Sequence, residues 1–241
     1  MPPTGLIDGL ISLYDFEELS GNTLDGFGNN HGTPAVINYD QPGKLSKCYR
    51  FIDVFDSQVS IPNAANLNFG QNQDFTFSLW FLNEYFDYRP NIIFKRKLTD
   101  GQEGYSLFYE SRLIYNDSAG NERDNSYCFV IDTGPTFLLI STGKDSVMPN
   151  DPNWHHIVFY RRGTTMGIVL DNNAPKEYTH PDISASLVNT NELLLMYNPL
   201  GGQEAHGKGY LDQVAIWNKA LTTEEIALLY NSGNGLPFAN W

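Results

Sequence analysis

Helical periodicity appears once in this chain, over Thr223–Tyr230, and almost everything before it is short apolar runs separated by turn residues. Runs rich in β-branched and aromatic side chains, bounded by Gly, Pro, Asn and Asp, are the pattern of sandwich strands. The clearest are Leu10–Phe16, Ser46–Ile52, Gln58–Ile61, Phe75–Leu82, Ile92–Lys97, Tyr105–Tyr109, Tyr127–Ile131, Phe137–Ser141, His155–Arg161, Met166–Leu170, Glu192–Tyr197 and Tyr210–Trp217. Phe75–Phe81 alternates large apolar with small polar residues and ends in Trp80-Phe81-Leu82, so one face is buried and the end is covered on both. Met166–Leu170, Asp171-Asn172-Asn173 and Pro175–Tyr178 form a hairpin pattern, because Asn tolerates positive φ at the turn. The lone helix is well marked. Thr222 and Glu225 make a capping box, Leu221 is placed as a hydrophobic staple, and Gly233 stands where a left-handed C-terminal cap is wanted. The fold class is all-β, a sandwich closed by one short C-terminal helix.

No segment of the 241 residues is biased enough to be a linker and none repeats, so residues 1–241 are expected to form a single domain. A hydrophobic fraction of 41% suffices for a sizeable core. The net charge of −13 argues against nucleic acid, acidic lipid and sulfated glycans as partners, since each needs a cationic surface. The only basic runs, Lys95-Arg96-Lys97 and Arg161-Arg162, lie in strand patterns where neighbours face apart, and are expected to be solvated edge charges. Cys48 and Cys128 are either two buried thiols or one disulfide, and have no metal-site spacing. The N-terminal residues lack a secretory pattern, and no stretch is long enough to span a membrane.

Four blocks in order carry a family resemblance. The first is Leu13–Phe16 followed by Ser20-Gly21-Asn22-Thr23-Leu24-Asp25-Gly26-Phe27-Gly28-Asn29-Asn30-His31-Gly32. The second runs from Gly43-Lys44 to Phe51, then Val59-Ser60-Ile61-Pro62 and Phe75-Thr76-Phe77-Ser78-Leu79-Trp80. The third is Trp154-His155-His156-Ile157-Val158 through Leu170-Asp171-Asn172, and the fourth is the strand, turn and helix from Gly209 to Gly235. Together they resemble laminin G-like domains of the concanavalin A-like superfamily, of the type common in bacterial and phage proteins. The resemblance implies a two-sheet antiparallel jelly roll and, for most of the family, binding rather than catalysis. Glucanases on this sandwich carry a Glu-x-Asp-x-x-Glu strand that sets its carboxylates on one face. No such run exists here: Glu122-x-Asp124 lies in a polar stretch, and the adjacent Glu17 and Glu18 face apart. The expectation is a protein that is not an enzyme, with a glycoside hydrolase as the lesser alternative.

Candidate sites follow. The resemblance implies a structural calcium ion tying the Asp25–Asn30 loop to a late strand, with Asp25, Asn29 and Asp212 (or Asp15) as oxygen ligands; the alternative is that Asp25 and Asn29 make Asx-turns. His155 and His156 face apart and do not share an ion, one packing beside Trp154 and the other partly exposed. For a carbohydrate ligand the first candidate is Tyr85, Phe86, Asp87, Tyr88 and Arg89, where rings can stack on sugar faces and Asp and Arg can bond hydroxyls. A weaker one is Tyr109–Tyr115 with the following 116–125 excursion, and 201–209 is expected to be a hairpin loop. The functional expectation is a binding or adhesion module on a bacteriophage virion surface, as a capsid decoration or tail-associated protein recognising host-surface carbohydrate. It would reach the outside by assembly and lysis. Its partners would be capsid or tail proteins and further copies of itself. The alternative is a purely structural virion or oligomer subunit without a glycan ligand.

Overall fold

The alternation in Phe75–Asn83 sets the architecture. Phe75, Phe77, Leu79 and Phe81 belong to one large core cluster, so the residues between them face away from it. The computed structural model describes residues 5–52, 54, 56–84, 90–98, 102–111, 116–148, 151–200 and 207–241. The strands are β1 (Leu10–Tyr14), β2 (Thr33–Ala35), β3 (Ile37–Pro42), β4 (Lys47–Phe51), β5 (Gln58–Ile61), β6 (Phe75–Asn83), β7 (Asn91–Arg96) and β8 (Gly104–Glu110). They continue with β9 (Ser126–Asp132), β10 (Phe137–Ser141), β11 (His155–Arg162), β12 (Thr165–Leu170), β13 (Lys176–Thr179), β14 (Leu193–Leu195) and β15 (Gly209–Trp217), and the chain closes on the helix α1 (Thr223–Tyr230).

The strands form two antiparallel sheets, one ordered β13-β12-β11-β6-β15-β4-β3 and the other β10-β9-β8-β7-β14-β5-β2. The main core draws from both: Phe77 and Phe159 of the first sheet stack at 4.8 Å, and Phe75 and Phe77 meet Tyr105 of the second. The sandwich expectation is met. β1 joins the first sheet on the same edge of β15 as β4, end to end with it: Val214–Trp217 pair with β1 and Gly209–Leu211 with β4. A bulge between Asp212 and Ala215, with Gln213 at φ +45°, separates the two pairings.

The outward face of this first sheet is divided. One half is covered by α1 and the chain end, where Val158, Tyr160, Ala215 and Trp217 pack with Leu221, Ile226, Leu229 and Trp241. The other half carries no such cover among the described residues. Among the described residues no helix is long and apolar enough to cross a membrane.

Several expectations are corrected. Lys95 and Arg161 are fully buried rather than solvated. Lys95 donates to Asn63 and Asn189 side chains and the Asn191 carbonyl, and burial pulls its ammonium down to about 8. Arg161 donates to the carbonyls of Gly70, Gln73, Ile183 and Ala185, and burial pulls it down to about 10. Each stands on an inward position and ties down connecting chain, Lys95 at Asn63 and 189–191 and Arg161 at 70–73 and 183–185. Cys48 and Cys128 are free and buried, on different sheets, which settles the open choice between thiols and a bridge. The helix cap is also earlier than expected: Asn231, at φ +48°, takes the left-handed position ahead of Gly233.

Candidate functional site

On this second half of the first sheet, the register aligns four side chains, three from strands and one, Trp154, from the residue that leads into β11. Leu82 pairs with Tyr210, Tyr210 pairs with Arg50, and His155 pairs with Phe81, which brings Trp154 opposite Leu82. Their strand neighbours Phe51, Phe81 and Leu211 are in the core, so Trp154, Leu82, Tyr210 and Arg50 make a row across the outward face. All four are half-buried. Beside the row is a cleft of about 480 Å³ lined by Leu82, Asn83, Glu84, Asp151, Pro152, Lys208 and Tyr210.

The polar groups of this cleft are already organised. Arg50 binds Glu84 through both carboxylate oxygens, Nε to Oε2 at 2.9 Å and Nη2 to Oε1 at 3.3 Å. That pairing holds the guanidinium above its ordinary value. The same guanidinium lies over the Tyr210 ring, 5.6 Å from its centroid, and Trp154 meets Tyr210 at 6.3 Å and 61°. Burial and the Glu84 carboxylate hold the Tyr210 phenol above its usual range. Asp151 Oδ1 accepts from the Asn153 backbone and side chain, while Oδ2 lies 3.4 Å from His155 Nε2. His155 Nδ1 is 2.6 Å from Asp171 Oδ2; burial opposes the imidazolium, but the two carboxylates outweigh it and raise its pKa. Aromatic surface edged by a rigid ion pair and a carboxylate suits the apolar faces and hydroxyls of a sugar.

A second cleft, of about 300 Å³, opens at the fork where β1 and β4 leave β15. Asp15, Glu17, Leu45, Asp212, Gln213 and Phe238 are among its lining residues. Asp212 Oδ2 accepts from the Leu45 amide at 2.9 Å, and a Cβ on Gly43 would fall 2.7 Å from that oxygen. Burial pushes the Asp212 carboxyl up to about 7 and, with Glu18, raises Asp15 as well.

The residues singled out in the sequence fall as follows. Tyr85, Phe86, Asp87, Tyr88 and Arg89 lie outside the described residues, as do 112–115 and 201–206. The cleft of Glu84, Asp151 and Tyr210 adjoins the chain that leads into 85–89. Asp25 does not point outward for an ion. Its Oδ1 accepts from the Leu13, Phe27 and Gly28 amides and its Oδ2 from Asn30, at 2.8–3.1 Å. Gly28 is required there, because a Cβ would meet the Ile11 carbonyl at 2.4 Å. A calcium ion would have to displace these four donors, Asn29 is exposed, and Asp212 has other partners at the fork, so the three do not fit a shared cation. Among the described residues no group of three or more His, Cys, Asp or Glu could hold a metal. His155 and His156 do face apart, but both are buried. His156 lies against Trp80 at 4.9 Å rather than beside Trp154, donates to or accepts from Ser78, and is pushed down to about 3 by burial. Glu122 is exposed in an ion pair with Lys144.

Two antiparallel sheets and a short helix at the end define a jelly-roll sandwich. Residues 54–227, more than half of the chain, match the family described as the concanavalin A-like lectin/glucanases superfamily, and the chain belongs to that family. The binding domain of Paraclostridial Mosquitocidal Protein 1 is similar in fold, with a TM-score of 0.71 at 17% identity over 95% of this chain and 53% of that one. Domain 4 of AbnA, an extracellular arabinanase from Geobacillus stearothermophilus, solved with arabinotriose, gives 0.65 at 16% identity over 94% and 98%. A structure of botulinum neurotoxin type C, whose cell entry depends on interaction with two ganglioside molecules, gives 0.69 at 13% over 95% and 52%. The chain spans about half the length of the toxin binding domains it matches. At these identities the likeness is one of fold. No curated protein matches the chain.

Proposed function

We propose that this protein is a non-catalytic carbohydrate-binding module whose ligand docks in the cleft beside Trp154, Leu82, Tyr210 and Arg50. The row of two aromatic rings, an aliphatic side chain and a fixed guanidinium carries the reading. It is the kind of surface that stacks on a sugar ring while Glu84, Asp151 and Lys208 reach hydroxyls. Similar folds occur as an arabinanase domain solved with arabinotriose and in a toxin whose entry depends on gangliosides, which supports a sugar as the ligand class. Hydrolysis is disfavoured because the two carboxylates that line this cleft among the described residues are already engaged, Glu84 by Arg50 and Asp151 by Asn153.

The test is a broad glycan array with the wild type, Trp154→Ala and Tyr210→Ala, each repeated with chelator. Specific binding that both variants weaken by about tenfold or more supports the assignment, a loss of roughly the size expected for one buried aromatic contact. Chelator is expected to change nothing; its abolishing the signal would return calcium to the Asp25 loop. A blank array would favour a structural subunit. The narrower setting proposed for the module, a virion surface with capsid or tail partners, comes from the resemblance to phage domains. Finding the chain in purified particles by mass spectrometry tests it, and its absence there would remove that setting while leaving the sugar reading intact.

A further inference from the structure

Resting on the glycan reading, we propose that the cleft selects neutral sugar chains and rejects those bearing a carboxylate. Carboxylate recognition requires an arginine fork or ammonium free to take both oxygens. Arg50 is the guanidinium at this cleft among the described residues; Glu84 occupies its Nε/Nη2 edge and neutralises its charge, so the remaining Nη1 edge lies beside a carboxylate. The face of the guanidinium is spent as well, because it lies over the Tyr210 ring. Of the charged lining residues, Lys208 is balanced against the two carboxylates Glu84 and Asp151. With Arg50 included, the described groups sum to no net positive charge, on a chain whose total is −13. An anionic sugar would therefore approach against the long-range field and arrive, among the described residues, beside two carboxylates and a guanidinium whose charge one of them already pairs. Hydroxyls fit the same groups well: Glu84, Asp151 and the Tyr210 phenol offer acceptors, and the rings offer flat apolar surface.

The experiment titrates one oligosaccharide in two forms, neutral and capped with a sialic or uronic acid, against wild type, Glu84→Gln, Asp151→Asn and Trp154→Ala by calorimetry. Wild type is expected to bind the neutral form at least about tenfold more tightly, as placing like charges together requires. Glu84→Gln, by removing the carboxylate that pairs Arg50 on its Nε/Nη2 edge, is expected to narrow that ratio to about threefold or less through a gain for the acidic form. Asp151→Asn should narrow it in the same direction if Glu84→Gln proves poorly folded by circular dichroism. Preference of the wild type for the acidic form, or an unchanged ratio in both carboxamide variants, overturns neutral selectivity. Binding that Trp154→Ala still weakens would then leave the glycan reading standing. No binding of either form to the wild type removes both.

Discussion

At the scale of single residues, buried ionisable groups say most about how this protein responds to pH. Asp212 is 1% exposed, and burial holds its carboxyl at about 7 against an ordinary 3.8. A folded-state pKa above the unfolded value means that the folded chain holds the proton more tightly. Its stability contribution is therefore complete below about pH 4 and is lost as pH rises through about 7. Asp212→Asn keeps an oxygen for the Leu45 amide and carries no charge. It should melt higher than wild type at pH 8, by roughly 2–4 kcal/mol in unfolding free energy, and converge with it near pH 4. A variant that is less stable at pH 8 would show that the carboxylate form is the one the fork is built around. His156 acts in the opposite sense. Held down to about 3, it stays neutral while the unfolded chain takes up a proton, so it destabilises the fold as pH falls below about 6.5. His156→Gln is expected to flatten the acid limb of the melting curve, and an unaltered limb would count against the burial argument.

At the scale of elements, the helix α1 is where local sequence and tertiary packing agree most closely. The Thr222 hydroxyl accepts from the Glu225 amide at 3.2 Å, and the Glu225 carboxylate accepts from the Thr222 amide at 2.8 Å. Thr222→Ala should cost about 1 kcal/mol by thermal melting. Because Leu221, Ile226 and Leu229 join Trp217 and Trp241 in one cluster, the loss should register in tryptophan fluorescence as well as in circular dichroism. The strands legible in the sequence were those whose alternation feeds the main core. β2 and β3 escaped notice for a physical reason. Both are edge strands, each carries a proline (Pro34, Pro42), and their residues are half-buried or exposed, so neither shows a buried face to read. The cap was misplaced for a similar reason: Gly233 is the residue type that favours positive φ, yet Asn231 reaches it first and fixes the turn by donating from its side chain to the Gly235 carbonyl.

At the scale of the whole molecule, a linear reading could place the sandwich but not its cleft. Arg50, Leu82 and Tyr210 belong to three strand patterns and Trp154 stands just before a fourth, all far apart in the chain, and only the register of β4, β15, β6 and β11 makes them a row. The one local hint was that Leu82 and Tyr210 are large residues on the face opposite the core. Charge, by contrast, is a property the sequence states outright. With 28 acidic and 15 basic side chains, the surface repels itself. Exposed pairs such as Lys47–Asp40 and Lys144–Glu122 offset little of this, since solvent screens them and holding two long side chains together costs entropy. Raising salt shortens the screening length from about 30 Å at 0.01 M to about 10 Å at 0.1 M, which weakens repulsion across the whole surface more than it weakens contacts at a few ångströms. The melting temperature is therefore expected to rise over that range at pH 7, while affinity for a neutral sugar stays flat. A fall in melting temperature would mean that specific ion pairs, with Arg50–Glu84 at the cleft among them, contribute more than the net charge takes away.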